Sequence, residues 1–322
     1  MKRNKSIDVV AGLMIIYMIF THVCQLSYNT GWPIYITSLN IFYSYMFFFF
    51  FKSGLFFHSG EEIPYIKKNF KKLMIPYIKF SLLGYIVYVI DHFIKQDICL
   101  YIIITKPLTE LLVWGSFSGN MPLWFLLTLF LVKISYNWLY NMNFPTFIIS
   151  IVSSLITFIL QTYVVNSNFH IPYTVGSYFM AMTIFSIAHG MSKNYKYLNS
   201  KKIFVVCTFV YVISLFIDFP LVDIRSNHCS GIFIPWFVFS LAACISLIYI
   251  LDRVRLPSFI SNIGKDSMVY YVWHWIILVI VSMLFYSLGF SDNRYLLLAM
   301  AITCVIVLPF INNVESKKIK RY

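Results

Sequence analysis

The chain has 322 residues, 60% of them hydrophobic and 11% charged, with a net charge of +13. An average soluble domain carries about a quarter charged residues, and apolar runs near the ~20-residue bilayer length recur here from end to end, so a soluble domain is excluded. The positive charge falls in the gaps between those runs, which fits membrane topology and gives no reason to expect a nucleic-acid partner.

Hydrophobic runs separated by polar breaks predict ten helices, at 8–27, 34–57, 74–94, 122–140, 144–165, 173–191, 203–219, 231–251, 267–288 and 295–312. The opening MKRNKSID precedes an apolar run, but no small-residue cleavage site follows it, so the run reads as a retained first helix. The stretch 97–121 is apolar but broken by Lys106, Pro107 and GSFSGN, which suits an interfacial or re-entrant segment. With the N-terminus inside, the inner segments hold 18 Lys and Arg, and the outer segments hold four: Lys95, Lys106, Arg225 and Arg294. That asymmetry predicts cytoplasmic N- and C-termini. Lys52, Lys79 and Lys133 fall within spans. The expected fold is therefore all-α, a polytopic integral membrane protein forming a single transmembrane domain over 1–322. Aromatic residues make up 20% of the chain, and many Trp and Tyr fall near run ends, where the interface favours them. The six cysteines have no paired spacing, and no Cys/His cluster has ligand spacing, so neither a structural disulfide nor a metal site is expected.

Several stretches carry residues of chemical interest. In the first span, SIDVVAGLMIIYMIFTHV, Asp8 and His22 are fourteen residues apart. On a helix they lie about 40° apart around the axis but ~21 Å apart along it, so they share a face without touching. An ionisable side chain at membrane depth reads as functional, and an interfacial histidine bonded to a neighbouring helix is the plainer alternative. In FFFFFKSGLFFHSG, residues 47–60, Lys52 has two readings: snorkelling to the interface, or binding a ligand. Gly54 there allows close helix approach or a break. In IPYIKKNFKKLMIPY, residues 63–77, the (i, i+4) pairs Lys67/Lys71 and Lys68/Lys72 form a double basic row. Such a row suits a nucleotide cofactor or anionic lipid, or serves only as topology signal. In PLWFL, residues 122–126, Pro122 suits a first helical turn and Trp124 an interfacial belt. In GKDSMVYYVWHW, residues 264–275, His274 lies ~10 Å into its span, with Trp273 and Trp275 on other faces. The estimated depths of His22 and His274 differ by ~10 Å, so a direct pair needs bent helices. His189 ends a helix, where a cation is favoured, and has no expected function.

Taken together these stretches resemble the acyltransferase-3 family of bacterial membrane acyltransferases, which includes the fucose-acetylase-like proteins. The resemblance is carried by SID…G…H in the first span, by FFF-x-SG-x-x-F with Ser53, by the basic run closing on IPY, by PLWFL, and by IG-K-x-S…YY…H. It implies a multi-pass enzyme of the bacterial cytoplasmic (inner) membrane. Such an enzyme moves an acyl group, commonly acetyl from acetyl-CoA, onto a hydroxyl of a surface polysaccharide or its lipid-linked precursor. Acyl-CoA is then a donor substrate, and no permanently bound cofactor is implied. The resemblance makes His22 the catalytic residue, acting as general base on the acceptor hydroxyl. It leaves Lys52, Lys67, Lys68, Lys71 and Lys72 as the nearest cations for the donor phosphates, with Asp8, Ser53, Trp124 and His274 as further candidates. The family typically has an arginine eleven residues before this histidine, where this chain has Ala11. Its phenylalanine run usually carries an apolar residue where this chain has Lys52. Both positions lie at similar depth, so Lys52 is expected to supply the missing cation. The rival readings are a glycan or lipid transporter and a catalytically inactive partner in polysaccharide assembly.

Overall fold

The computed structural model describes residues 5–26, 42–166, 172–192, 200–219, 221–229, 231–288, 307–312 and 314. The predicted segments 34–41 and 295–306 lie outside these residues. The described elements are α1 (Lys5–Leu26), α2 (Tyr45–Leu55), α3 (Glu62–Asn69), α4 (Ile75–Ile94), α5 (Lys106–Trp114) and α6 (Trp124–Asn141). They continue with α7 (Thr146–Asn166), α8 (Tyr173–Ser192), α9 (Lys201–Ser214), α10 (Phe233–Arg253), α11 (Ser258–Lys265) and α12 (Ser267–Ser287). A short antiparallel hairpin, β1 (Val222–Asp223) and β2 (His228–Cys229), joins α9 to α10.

Among the described residues, five helical stretches are long and apolar enough to cross a membrane: α1, the continuous 62–94 helix, Met121–Asn141, α10 and α12. Their outward faces are what lipid requires. On α4 the side chains of Ile78, Leu82, Ile86 and Ile90 recur every fourth residue and all stand exposed, an apolar stripe that water would not tolerate at this length. Val205, Phe209 and Val212 of α9, with Phe216 just after it, are likewise exposed. The chain is an all-α integral membrane protein.

Two wide π turns sit where prolines interrupt these helices. Ile75 N–H bonds Phe70 C=O and is followed by Pro76; Lys106 N–H bonds Tyr101 C=O and is followed by Pro107. Proline lacks the N–H and its ring crowds the carbonyl four residues back, so an inserted residue relieves both problems. The orphaned Ile103 carbonyl accepts instead from the Tyr85 hydroxyl at 2.8 Å.

The interior is built around α1, α2, α6 and α8. Four phenylalanines of the α2 run, Phe47, Phe48, Phe50 and Phe51, are fully buried. Gly54 lets α2 meet α8 closely, since a Cβ there would fall 2.2 Å from the Phe185 carbonyl oxygen. A second close crossing joins α1 to α11: a Cβ on Gly12 would fall 2.1 Å from Ile260 O, and one on Gly264 1.7 Å from Asp8 O. This crossing fixes where α12 begins. His189 is buried and held by the Tyr136 hydroxyl at 2.6 Å, a structural role in the α6–α8 contact.

Candidate active site

His22 lies in the last turns of α1 and is half-buried. Its ring stacks on His274 with centroids 5.2 Å apart and planes 26° apart, and Trp275 meets it edge-on at 5.2 Å. Straight helices put the two histidines about 10 Å apart in depth and Trp275 on another face. The α1–α11 crossing corrects both. Because α11 crosses α1 at Asp8–Gly12, α12 starts about two turns along α1. The seven residues from Ser267 to His274 then carry it on by ~10 Å, towards His22. His274 is wholly buried, and its Nδ1 lies 2.6 Å from the Tyr271 carbonyl oxygen. A carbonyl only accepts, so Nδ1 carries the proton and Nε2 keeps its lone pair. Among the described residues, that buried Nε2 has no hydrogen-bond partner.

His22 faces a cavity of about 420 Å³. One wall is aromatic, with Trp124, Trp236, Trp275, Tyr43 and Tyr45, and another is the β1–β2 hairpin with Asp223, Arg225 and His228. Trp124 is only 7% exposed. It is a cavity wall rather than the lipid-facing belt residue expected from its position. The short turn Met121–Leu123 before α6 explains this: Pro122 turns the chain so that α6 starts inside the bundle, and the Tyr271 hydroxyl bonds the Pro122 carbonyl. The hairpin is pinned from below by Asn227, which is fully buried against α7 and α8 with φ +53°, a conformation that Asn accepts more readily than most residues. Arg225 lies over the Trp114 ring at 4.4 Å and donates to Ser116 Oγ at 3.2 Å. Burial pulls the Arg225 guanidinium down from its usual value, while nearby Asp223 and Glu110 push it back; it stays charged.

A second cavity, about 380 Å³, lies towards the N-terminal end of α1. Four lysines line it, Lys52, Lys72, Lys133 and Lys265, with Ser53 beside them and, among the described residues, no carboxylate in the lining. Asp8, itself buried, lies 3.9 Å from Lys52 Nζ. Of the double basic row only Lys72 lines this cavity; Lys67 and Lys71 stand on the exposed surface. The π turn at Phe70–Met74 falls within the row. Lys68 and Lys72 still lie close enough to Lys133 for their charges to act on it. Ala11 is fully buried one turn from Asp8, in line with Ile15 of the cavity wall.

The two cavities are adjacent. Met46 and Tyr271 line both, and α1, α2, α6 and α12 each pass from one to the other. A family model described as an acyltransferase domain matches residues 4–311, nearly the whole chain. The chain belongs to the acyltransferase-3 family. No curated protein and no solved structure matches it. As a member of the acyltransferase-3 family with membrane-crossing helices, the protein is a membrane acyltransferase.

In this acyltransferase, His22, Lys52, Ser53, Lys72 and Trp124 of the residues that the sequence singles out line the two cavities, and His274 lies buried behind His22, while much of the lining comes from other residues. Lys133 had a usable signal, a charge inside a span, and Lys265 sits within the IG-K motif next to Gly264. Arg225, Asp223 and His228 had none, because they come from an outer connection that reads as an ordinary polar loop. Tyr271 is one aromatic among many. Among the described residues, no group of His, Cys, Asp and Glu could hold a metal ion.

Proposed function

We propose that the protein transfers an acyl group, acetyl in the simplest form, from acyl-CoA to a hydroxyl of a cell-surface polysaccharide or its lipid-linked precursor. The observation that carries this reading is a four-lysine cavity lying next to a histidine cavity, with Met46 and Tyr271 in the walls of both. A CoA nucleotide is a polyanion on a long arm, which suits lysine point charges at one end and a reaction centre further in. The aromatic cavity suits a saccharide, whose ring faces pack on indoles while its hydroxyls reach polar groups.

In this scheme both termini are cytoplasmic, the protein spans a bacterial inner membrane ten times, and the lysine cavity opens to the cytoplasm. The donor's phosphates bind Lys52, Lys72, Lys133 and Lys265, and the acyl end passes Met46 and Tyr271 to reach His22. Neutral His22 takes the proton of the acceptor hydroxyl as its oxygen attacks the thioester carbonyl. The C–O bond forms, the C–S bond breaks, and the proton passes from His22 to the departing CoA thiolate. The stacked ring of His274 holds His22 in place, and its bond to the Tyr271 carbonyl fixes its own orientation.

The test is label transfer from radiolabelled acetyl-CoA to candidate lipid-linked glycans by the purified protein in nanodiscs. Wild type should label glycan, and His22→Ala should lose at least ~100-fold in rate while still inserting and folding. Near-normal turnover by His22→Ala would rule out the base assignment. Glycan crossing liposomes without label would favour a transporter instead.

A further inference from the structure

Arg225 is held in an unusual way for a cation on an outer loop. Its hairpin is anchored, its guanidinium plane lies over Trp114, itself stacked on Tyr173 at 4.0 Å, and Nη2 donates to Ser116 Oγ. Its Nε–H is buried with no acceptor among the described residues. The two carboxylates near enough to act on it are engaged elsewhere. Asp223 accepts from Ser226 Oγ at 2.7 Å and from the Arg225 backbone N–H at 3.0 Å, and Glu110 accepts from Ser118 Oγ at 2.5 Å. Among the described residues, no carboxylate forms an ion pair with Arg225.

A partly desolvated guanidinium is costly to keep without a counter-charge. It is also rigid here, so its fork is already set for a planar or tetrahedral anion. This cation lines the histidine cavity, not the lysine cavity, so the anion it awaits is not the donor's phosphate. Asp223, exposed beside it in the same wall, offers an acceptor for sugar hydroxyls.

We infer that the acceptor bears an anionic group, a carboxylate or a phosphate, bound by Arg225 beside the hydroxyl that His22 activates. This rests on the transferase reading for its choice of ligand, but the anion site can be tested without transfer. The probes are three sugars: methyl glucoside, methyl glucuronoside and glucose 1-phosphate. Binding of each to the full-length protein in nanodiscs is measured by equilibrium dialysis without donor.

At least one anionic sugar should bind about tenfold or more tightly than the neutral one. Which of the two does so separates a uronate from a phosphate. In Arg225→Gln the ratio should fall to about one. A merely structural role for Arg225 would weaken all three alike and keep the ratio. Should Arg225→Gln fail to fold, Arg225→Lys decides, because an ammonium cannot reproduce the fork and the ratio must fall at least threefold. Equal binding of all three sugars, no binding, or a preference kept in the folded variant would overturn the inference. An Arg225-dependent preference without any acetyl transfer would sustain the anion site and overturn the transferase reading.

Discussion

Replacing Gly264 by Ala tests whether the α1–α11 crossing sets the geometry of both cavities. The added Cβ would lie 1.7 Å from Asp8 O and 2.7 Å from Gly12 N. An ordinary contact begins at 3.4 Å, so relief needs a parting of 3.4 − 1.7 = 1.7 Å along that line. Both obstructing atoms are backbone, and no side chain can swing aside. The helices themselves must move, at an overpacking cost of ~1–3 kcal/mol. The movement also reaches the site. Lys265 is the next residue, and α12 carries Tyr271 and His274 from there. Displacing a reacting group by ~1 Å can cost ~100-fold in rate, so transfer should fall by one to two orders of magnitude, more than the stability loss alone explains. Thermal unfolding followed by tryptophan fluorescence in nanodiscs gives the first quantity, and label transfer well below the unfolding temperature gives the second. Gly190→Ala is the control, because its Cβ first meets Thr146 Cγ2 at 3.7 Å and should change neither. Wild-type stability together with wild-type transfer in Gly264→Ala would refute the reasoning.

Lys72→Gln, Lys133→Gln and Lys265→Gln should each raise the donor KM by about threefold to tenfold with kcat largely kept, as expected for lost uniform binding. Lys67→Gln and Lys71→Gln, whose side chains lie outside the cavity, should stay within about twofold of wild type on the same measurement, since exposed charges are screened. If all five behave alike, the cavity does not hold the donor. Lys52→Leu should sharply weaken donor binding, both by removing a cavity cation and by taking the nearby charge from buried Asp8. Adding Ala11→Arg should restore part of that affinity, measured by dialysis of labelled acetyl-CoA. No rescue in a folded double variant would show that Lys52 does not stand in for an arginine at position 11.

The sequence by itself determined the class of the protein and the content of its helices. Repeated apolar runs with few charges have only one stable environment, and the spacing of Asp8 and His22 on one stripe of α1 follows from 3.6 residues per turn. Pro107 announced a break, although the wide turns that accommodate it and Pro76 did not show in the residues. The order of the family motifs carried Ser53, Trp124 and His274 into view one stretch at a time. Only the tertiary structure decided that Lys52, Lys72, Lys133 and Lys265 line one cavity, that His274 reaches His22, and that Arg225 lines the chamber of His22 from the β1–β2 hairpin. Helical periodicity fixes a residue's face but not the helix that meets it. In lipid the choice of neighbour is poorly encoded by hydrophobicity, since lipid tails are as apolar as leucine. It is made by close approaches such as Gly12 with Gly264 and Gly54 with Phe185, contacts between residues far apart in the chain, which no local pattern records.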